Sequence, residues 1–255
     1  MNLLQQTNSH LVEVEELANE PYSSVLGYPR CSSDELEDRT RELKAHHVKS
    51  VLFEGKGVIG KLNILGKGCV SVVVKAIYDH EIIALKIRRT DANRESMESE
   101  AMLLELANGI GIGPKLIKRS RNFLLMEYID GKNMLSFLEE ENDAKKLLHV
   151  VSEVLEQCYR LDSIGLDHGQ LSDMREHVIV SDKITIIDFE SASTNRKVSN
   201  VTAAAQYLFI GGPMKDKIRE LLRINSTDAI IQLLRAYKKD ASKENFERLK
   251  QILNL

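Results

Sequence analysis

The sequence predicts an α+β fold in which antiparallel strands come first and a mostly helical half comes after. Three observations carry that reading. Between Val58 and Tyr128, β-branched runs alternate with short glycine turns. From Asn133 onward, apolar residues recur at helical spacing. One tight hairpin, turning at Asp182-Lys183, is embedded in the helical half.

Taken in order, the first 57 residues form an N-terminal α/β extension that matches no recognisable pattern. Leu11 to Ala18 has helical potential, and Pro21, Gly27 and Pro29 punctuate the next stretch. Ser32 with Glu35 makes a capping box that opens a charged helix to about Ala45. Val51-Leu52-Phe53 is a short strand, and Gly55 and Gly57 form a turn. Val58 to Leu65 reads as one strand, Gly66-Lys67-Gly68 as a turn, Val70 to Ala76 as a second strand and Glu81 to Ile87 as a third. Arg94 to Asn108 reads as a helix, stopped by Gly109, Gly111 and Pro114. Lys115 to Ile117 and Phe123 to Tyr128 make a strand pair, giving five strands and one helix over residues 58–128. Asn133 to Glu140 and Ala144 to Leu161 are helices, and Val178–Val180 with Ile184–Ile187 form the hairpin. Helices resume after Asn200, with Pro213 at a helix start and Ser226 as an N-cap.

Composition narrows the function classes. Of 255 residues, 43% are apolar, enough for a buried core. Charged residues make up 29% with a formal net charge of -3, so nothing resembles the basic footprint of a nucleic-acid binder. Cys31, Cys69 and Cys158 stand far apart, which argues against a cysteine zinc site and against a disulfide framework. Met1 to Glu16 carries acids and amides where a signal peptide needs basic residues and an apolar run. No stretch approaches the ~20 apolar residues of a membrane span. The expectation is a soluble, cytoplasmic protein.

Four segments carry chemistry. In Leu65-Gly66-Lys67-Gly68, two glycines at a hairpin tip let backbone amides approach phosphate oxygens, although glycines also serve plain turns. In Ala84-Leu85-Lys86, a lysine sits inside an apolar strand, where its ammonium needs an anion unless the strand is a solvated edge. Glu100 on the following helix is a natural partner, with Glu95, Glu98 and Glu105 as competitors. Met126-Glu127-Tyr128-Ile129 is a strand leading into a short link whose backbone can hydrogen-bond a base. In Ile187-Asp188-Phe189-Glu190, an acid comes straight after an apolar strand, a common position for a metal ligand.

Together these segments resemble the protein kinase signature set in the right order. Gly66 and Gly68 match the first two glycines of the Gly-rich loop, Ser71 stands at the third, and Val73 matches the valine after it. Ala84-Leu85-Lys86 looks like the V-A-I-K segment, Met126 to Ile129 like the hinge, and Asp188-Phe189 like the start of D-F-G, with Glu190 in place of its glycine. The resemblance covers roughly residues 58–195 and is closest to small atypical serine/threonine kinases of archaea, similar to RIO kinases and the kinase of the KEOPS complex. No A-P-E motif and no long activation segment come after Asp188.

The resemblance implies a two-lobed kinase-like fold: an N-terminal lobe over 58–128, a compact helical C-terminal lobe over 129–255, and residues 1–57 as an attachment. It implies Mg-ATP as cofactor, with Leu65, Gly66, Gly68, Val73, Ala84, Lys86, Glu100, Met126, Glu127 and Ile129 at the nucleotide. It also implies Asp188 on Mg²⁺ and transfer to a protein hydroxyl, the protein's own included. The catalytic loop departs from the pattern. His168-Gly169 resembles an H-G-D variant, but Gln170 replaces the aspartate, and His177 stands where the family has a metal-binding asparagine. The loop is about two residues longer than the pattern. Gln170 can position a hydroxyl but is no base, and Asp167 or Asp173 are the alternatives. Two competing functions are a pseudokinase that binds ATP without turnover, and a small-molecule phosphotransferase.

Overall fold

The computed structural model describes residues 10–255, so the first nine residues of the N-terminal stretch lie outside the described residues. The chain divides into two compact units. The first runs to Met102 and adds Lys115–Tyr128; the second comprises Leu103–Pro114 and Ile129–Leu255.

The first unit is a mixed α/β unit built on an antiparallel sheet. In chain order it contains β1 (His10–Glu13), α1 (Ser23–Leu26), α2 (Ser33–Ala45), β2 (Val48–Phe53), β3 (Gly57–Ile59), β4 (Leu62–Ile64), β5 (Gly66–Lys67), β6 (Ser71–Tyr78) and β7 (Glu81–Arg88). Helix α3 (Glu98–Gly109) comes next and runs on into the second unit, and β8 (Leu116–Arg119) and β9 (Phe123–Glu127) complete the first. The main sheet has the order β1-β2-β6-β7-β9-β8, with β5 paired to β6. Among the described residues it therefore has seven strands, two of which, β1 and β2, lie before the 58–128 stretch for which the sequence predicts five.

Two details differ from the sequence reading. The extension supplies β1 and β2, paired in register from His10 opposite Phe53 to Glu13 opposite Ser50. Leu11-Val12-Glu13 is strand rather than helix because β2 offers a ladder partner, and that pairing overrides a local helical preference. The predicted single strand over 58–65 is instead a hairpin, β3 and β4, turning at Gly60 with φ +59. The turn after it also moves: Gly66 and Lys67 pair with Val73 and Val72, and the chain reverses over Gly68–Val70.

Residues 10–57, the described part of the segment that the sequence sets apart as an attachment, share one core with the sheet. Val12, Val14, Leu26, Leu43, Val51 and Phe53 pack with Val72, Val74, Leu85, Ile87, Phe123 and Leu125. A buried polar network pins them together. Arg39, fully buried on α2, donates through Nη1 to the carbonyls of Leu26 (2.9 Å) and Arg88 (2.7 Å). Arg88 donates to Asn122 Oδ1 at 3.1 and 2.9 Å, and Asn122 donates to both carboxylate oxygens of Glu42 at 2.9 and 2.7 Å. Each buried polar group is thus matched, which is the condition for holding it out of water.

The second unit is helical around a three-stranded sheet. It contains β10 (Lys132–Asn133), α4 (Met134–Glu140), α5 (Ala144–Ser163), β11 (Val178–Val180), β12 (Ile184–Ile186), α6 (Asn200–Gln206), α7 (Lys215–Leu221), α8 (Thr227–Lys239) and α9 (Lys243–Leu253). Caps set several helix starts. Ser32 accepts from the Glu35 amide at 3.2 Å, Asn133 from Ser136 at 2.9 Å, Asp143 from Lys145 at 2.7 Å and Ser226 from Ala229 at 3.2 Å. Among the described residues, no helix is long and apolar enough to cross a membrane. All three cysteines are free, with Cys158 buried and Cys69 exposed.

Candidate functional site

In the first unit, strand register brings together five of the ten residues that the resemblance places at a nucleotide. Residues directly opposite one another on antiparallel strands share a face, and positions two apart repeat it. Gly66 lies opposite Val73, Val73 opposite Lys86, and Ala84 opposite Met126. Gly66, Val73, Ala84, Lys86 and Met126 therefore share one face. The alternating residues Val72, Val74, Leu85 and Ile87 point into the core packed by the N-terminal segment.

Lys86 is almost fully buried, and its Nζ donates to Glu100 Oε1 at 2.5 Å. Among the acids the sequence offers, Glu100 is the partner, because Ala101, Leu104 and Ala107 on α3 are inward-facing and Glu100 sits beside that stripe. Glu98 instead pairs with Arg119 at 3.0 Å. Leu65 donates its amide to the Val73 carbonyl at 2.9 Å, which places it at the start of β5. Gly68 differs from expectation, since its amide closes the turn onto Ser71 O at 2.8 Å rather than pointing outward. Arg89, which no sequence motif singles out, donates to the Gly68 carbonyl at 2.8 Å and stacks over Tyr28 at 5.0 Å. The glycine turn is thereby tied to the N-terminal segment. At the end of β9, the Glu127 amide is engaged by Lys115 O at 2.9 Å.

In the second unit, the loop from Asp167 to His177 is held by buried side chains that its own sequence does not advertise. Asp162 on α5 accepts from the Asn200 amide (3.0 Å), the Asn200 side chain (2.8 Å), Val201 (3.2 Å) and the Tyr237 hydroxyl (3.0 Å). Burial raises its pKa against those donors. Asn200 in turn accepts the His168 amide at 2.8 Å. The sequence signal was an aspartate placed directly after Leu161 in the apolar stripe of a helix.

Both carboxylate oxygens of Asp167 are engaged. Its Oδ1 accepts from the Ser199 amide and hydroxyl at 2.8 and 3.0 Å, and its Oδ2 is paired with Arg196. Gly169, with φ +88, gives the Arg196 guanidinium its room, because a Cβ there would meet Nη2 at 2.0 Å. Asp173 is likewise engaged, by Arg175 at 2.8 and 3.0 Å. Gln170 is half-buried, with its Oε1 buried and without a hydrogen-bond partner.

His168 is buried and its Nε2 lies 3.0 Å from the Ile187 carbonyl, so Nε2 carries the proton. Its Nδ1 is buried without a hydrogen-bond partner, and burial pushes its pKa down to about 4. The ring stands edge-on to Phe189 at 5.0 Å and to His177 at 5.7 Å. Asp188 comes after β12 in a left-handed conformation, φ +68, which turns the chain sharply beyond the strand. Phe189 is buried where Gly113 leaves space, since a Cβ at Gly113 would come within 3.0 Å of the ring.

His177 and Asp188 form the candidate ion-binding pair. His177 Nδ1 is buried, has no hydrogen-bond partner, and lies 3.9 Å from Asp188 Oδ2. Among the described residues, no group of three or more His, Cys, Asp or Glu side chains is placed to hold a metal. The Asp188 carboxylate suits Mg²⁺, and the His177 imidazole does not, because Mg²⁺ takes oxygen ligands.

The family model for the RIO domain matches residues 52–202. A protein of Methanocaldococcus jannaschii, the uncharacterized protein MJ1211, is 33% identical over 118 residues, covering 46% of this chain and 99% of that protein.

Proposed function

From the premise that the chain belongs to the RIO-domain family of atypical protein-kinase-like proteins, we propose that it binds ATP with a divalent ion and transfers the γ-phosphate to a protein hydroxyl, its own included. The Lys86–Glu100 pair carries the reading. Both side chains are nearly fully buried and meet at 2.5 Å. A buried ion pair is a poor device for stability alone, because apolar residues of similar volume do as well or better. On a sheet face shared with Gly66, Val73 and Ala84, it is instead a preorganised ammonium for phosphate oxygens.

In this reading Glu100 orients Lys86, Leu65 and Met126 bracket the base, and the link Glu127–Ile129 hydrogen-bonds it through the backbone. Asp188 holds the ion that accompanies the phosphates, which supplies charge neutralisation there. Gln170 positions the acceptor hydroxyl through its unpartnered carbonyl oxygen. Positioning and electrostatics make up most of phosphoryl transfer, so a glutamine supports slow turnover.

A second reading, nucleotide binding without transfer, is favoured by one observation: Asp167 and Asp173 are both committed to arginines. Incubation of the full chain with labelled ATP and a divalent ion separates the two. Label on protein or released phosphate, lost in Asp188→Ala, supports transfer. A nucleotide-dependent rise in melting temperature with no label supports the second reading, and the lack of both removes each of them.

A further inference from the structure

We infer that the ion at this site is held by an oxygen–nitrogen pair, Asp188 Oδ2 and His177 Nδ1, and that the site selects a transition-metal ion such as Mn²⁺ over Mg²⁺. The inference rests on the nucleotide-binding reading and names the ion that reading requires.

The imidazole is placed as a ligand would be. His177 ends the loop one residue before β11, and its own carbonyl accepts the Ile187 amide at 2.9 Å. That hydrogen bond ties the residue to the one preceding Asp188, so the two side chains leave neighbouring points of the backbone. The Nδ1 atom is buried and makes no hydrogen bond. At 3.9 Å from Asp188 Oδ2 it is too far for a hydrogen bond. The separation is nevertheless within the span of two ligands on one ion, because two bonds of about 2.1 Å reach at most about 4.2 Å. An unpartnered buried nitrogen costs free energy until something fills it, and a cation does so without requiring a donor hydrogen.

The His168 ring stands edge-on to His177 at 5.7 Å and keeps its own Nε2 proton on the Ile187 carbonyl. Two donors are too few for a metal without help, so nucleotide phosphate oxygens and water complete the shell. Ion selectivity then turns on the one nitrogen. Mg²⁺ disfavours imidazole, whereas affinity for N-donors rises along the first transition series, beginning with Mn²⁺.

The test measures affinity of the full chain for unlabelled AMP-PNP in saturating Mg²⁺ and in saturating Mn²⁺, for the wild type and for His177→Asn. In parallel, electron spin-echo modulation is recorded on the Mn²⁺–AMP-PNP complex of uniformly ¹⁵N-labelled protein. The expected wild-type preference for Mn²⁺ is about tenfold, falling to within about threefold in His177→Asn. A directly bound ¹⁵N coupling is expected in the wild type and absent from the variant. Equal preference in the two proteins, or wild-type spectra without ¹⁵N coupling, overturns the inference while leaving nucleotide binding standing. Nucleotide binding with neither ion overturns both. If His177→Asn does not fold, the wild-type ¹⁵N coupling alone decides.

Discussion

The strand face carrying Lys86 and the loop from Asp167 to His177 are organised by different means. The strand face is set by backbone register: once β6 and β7 pair, Val73, Ala84 and Lys86 have no choice of side. The loop is set by side-chain clamps from outside its own sequence, Asp162 and Asn200 above all. It also keeps three buried polar atoms without hydrogen-bond partners, on His168, Gln170 and His177. The strand residues follow the kinase pattern, and in the clamped loop the pattern is departed from.

The largest effect expected from this contrast is on folding. Removing residues 1–57 deletes β1, α2 and β2 and uncovers the back of the strand face. Val12, Leu43, Val51 and Phe53 alone contribute roughly 1.5–3 kcal/mol each, against a typical total of about 5–15 kcal/mol. The truncated chain is expected to show no cooperative melting by circular dichroism. A truncated chain that melts cooperatively near the parent's temperature would mean the strand face does not depend on the extension.

A single substitution tests the same dependence more gently. Arg39→Met leaves the Leu26 and Arg88 carbonyls without their donor and is expected to cost roughly 3–4 kcal/mol in denaturant unfolding. A loss comparable to that of an exposed arginine such as Arg41 would show that the network carries no stability.

The loop is probed by pH. Folded, His168 titrates at about 4 instead of its ordinary 6.5, so between those values the unfolded chain binds a proton that the folded chain does not. Stability is therefore complete above about pH 6.5 and falls toward pH 4, by up to about 3 kcal/mol. Melting curves across that window check the slope, and His168→Gln is expected to flatten it.

The smallest effect concerns chemistry alone. Gln170→Asp restores a base to the loop and is expected to raise phosphate transfer about tenfold or more, with nucleotide affinity changed by less than about threefold. An unchanged rate would mean that Gln170 does not face the acceptor.

Part of the strand face was legible in the sequence, because β-branched runs mark β6, β7 and β9, but the glycines misplaced the strand over 58–65 and the turn at 66–68. The Lys86–Glu100 partnership was readable as one of four options, and the stripe of Ala101, Leu104 and Ala107 selects it. The place of the N-terminal segment was not legible. Short stretches such as Leu11-Val12-Glu13 become strand only when β2 lies beside them, and that is long-range information. Arg39, Arg88 and Asn122 look like surface residues in sequence, and only their mutual hydrogen bonds let them be buried. In the loop, the substitution at Gln170 was plain to read. That Asp167 is spent on Ser199 and Arg196 was not, because its partners lie about thirty residues away.

The central proposal is that the chain binds a nucleotide through Lys86 and an accompanying ion through Asp188. Titration calorimetry of the full chain with AMP-PNP, with and without a divalent ion, tests it most directly. The account predicts that the ion tightens nucleotide binding about tenfold or more, that Asp188→Ala removes this gain, and that Lys86→Ala weakens binding in either condition. Nucleotide binding that ignores the ion and both substitutions, or no binding at all, would contradict it.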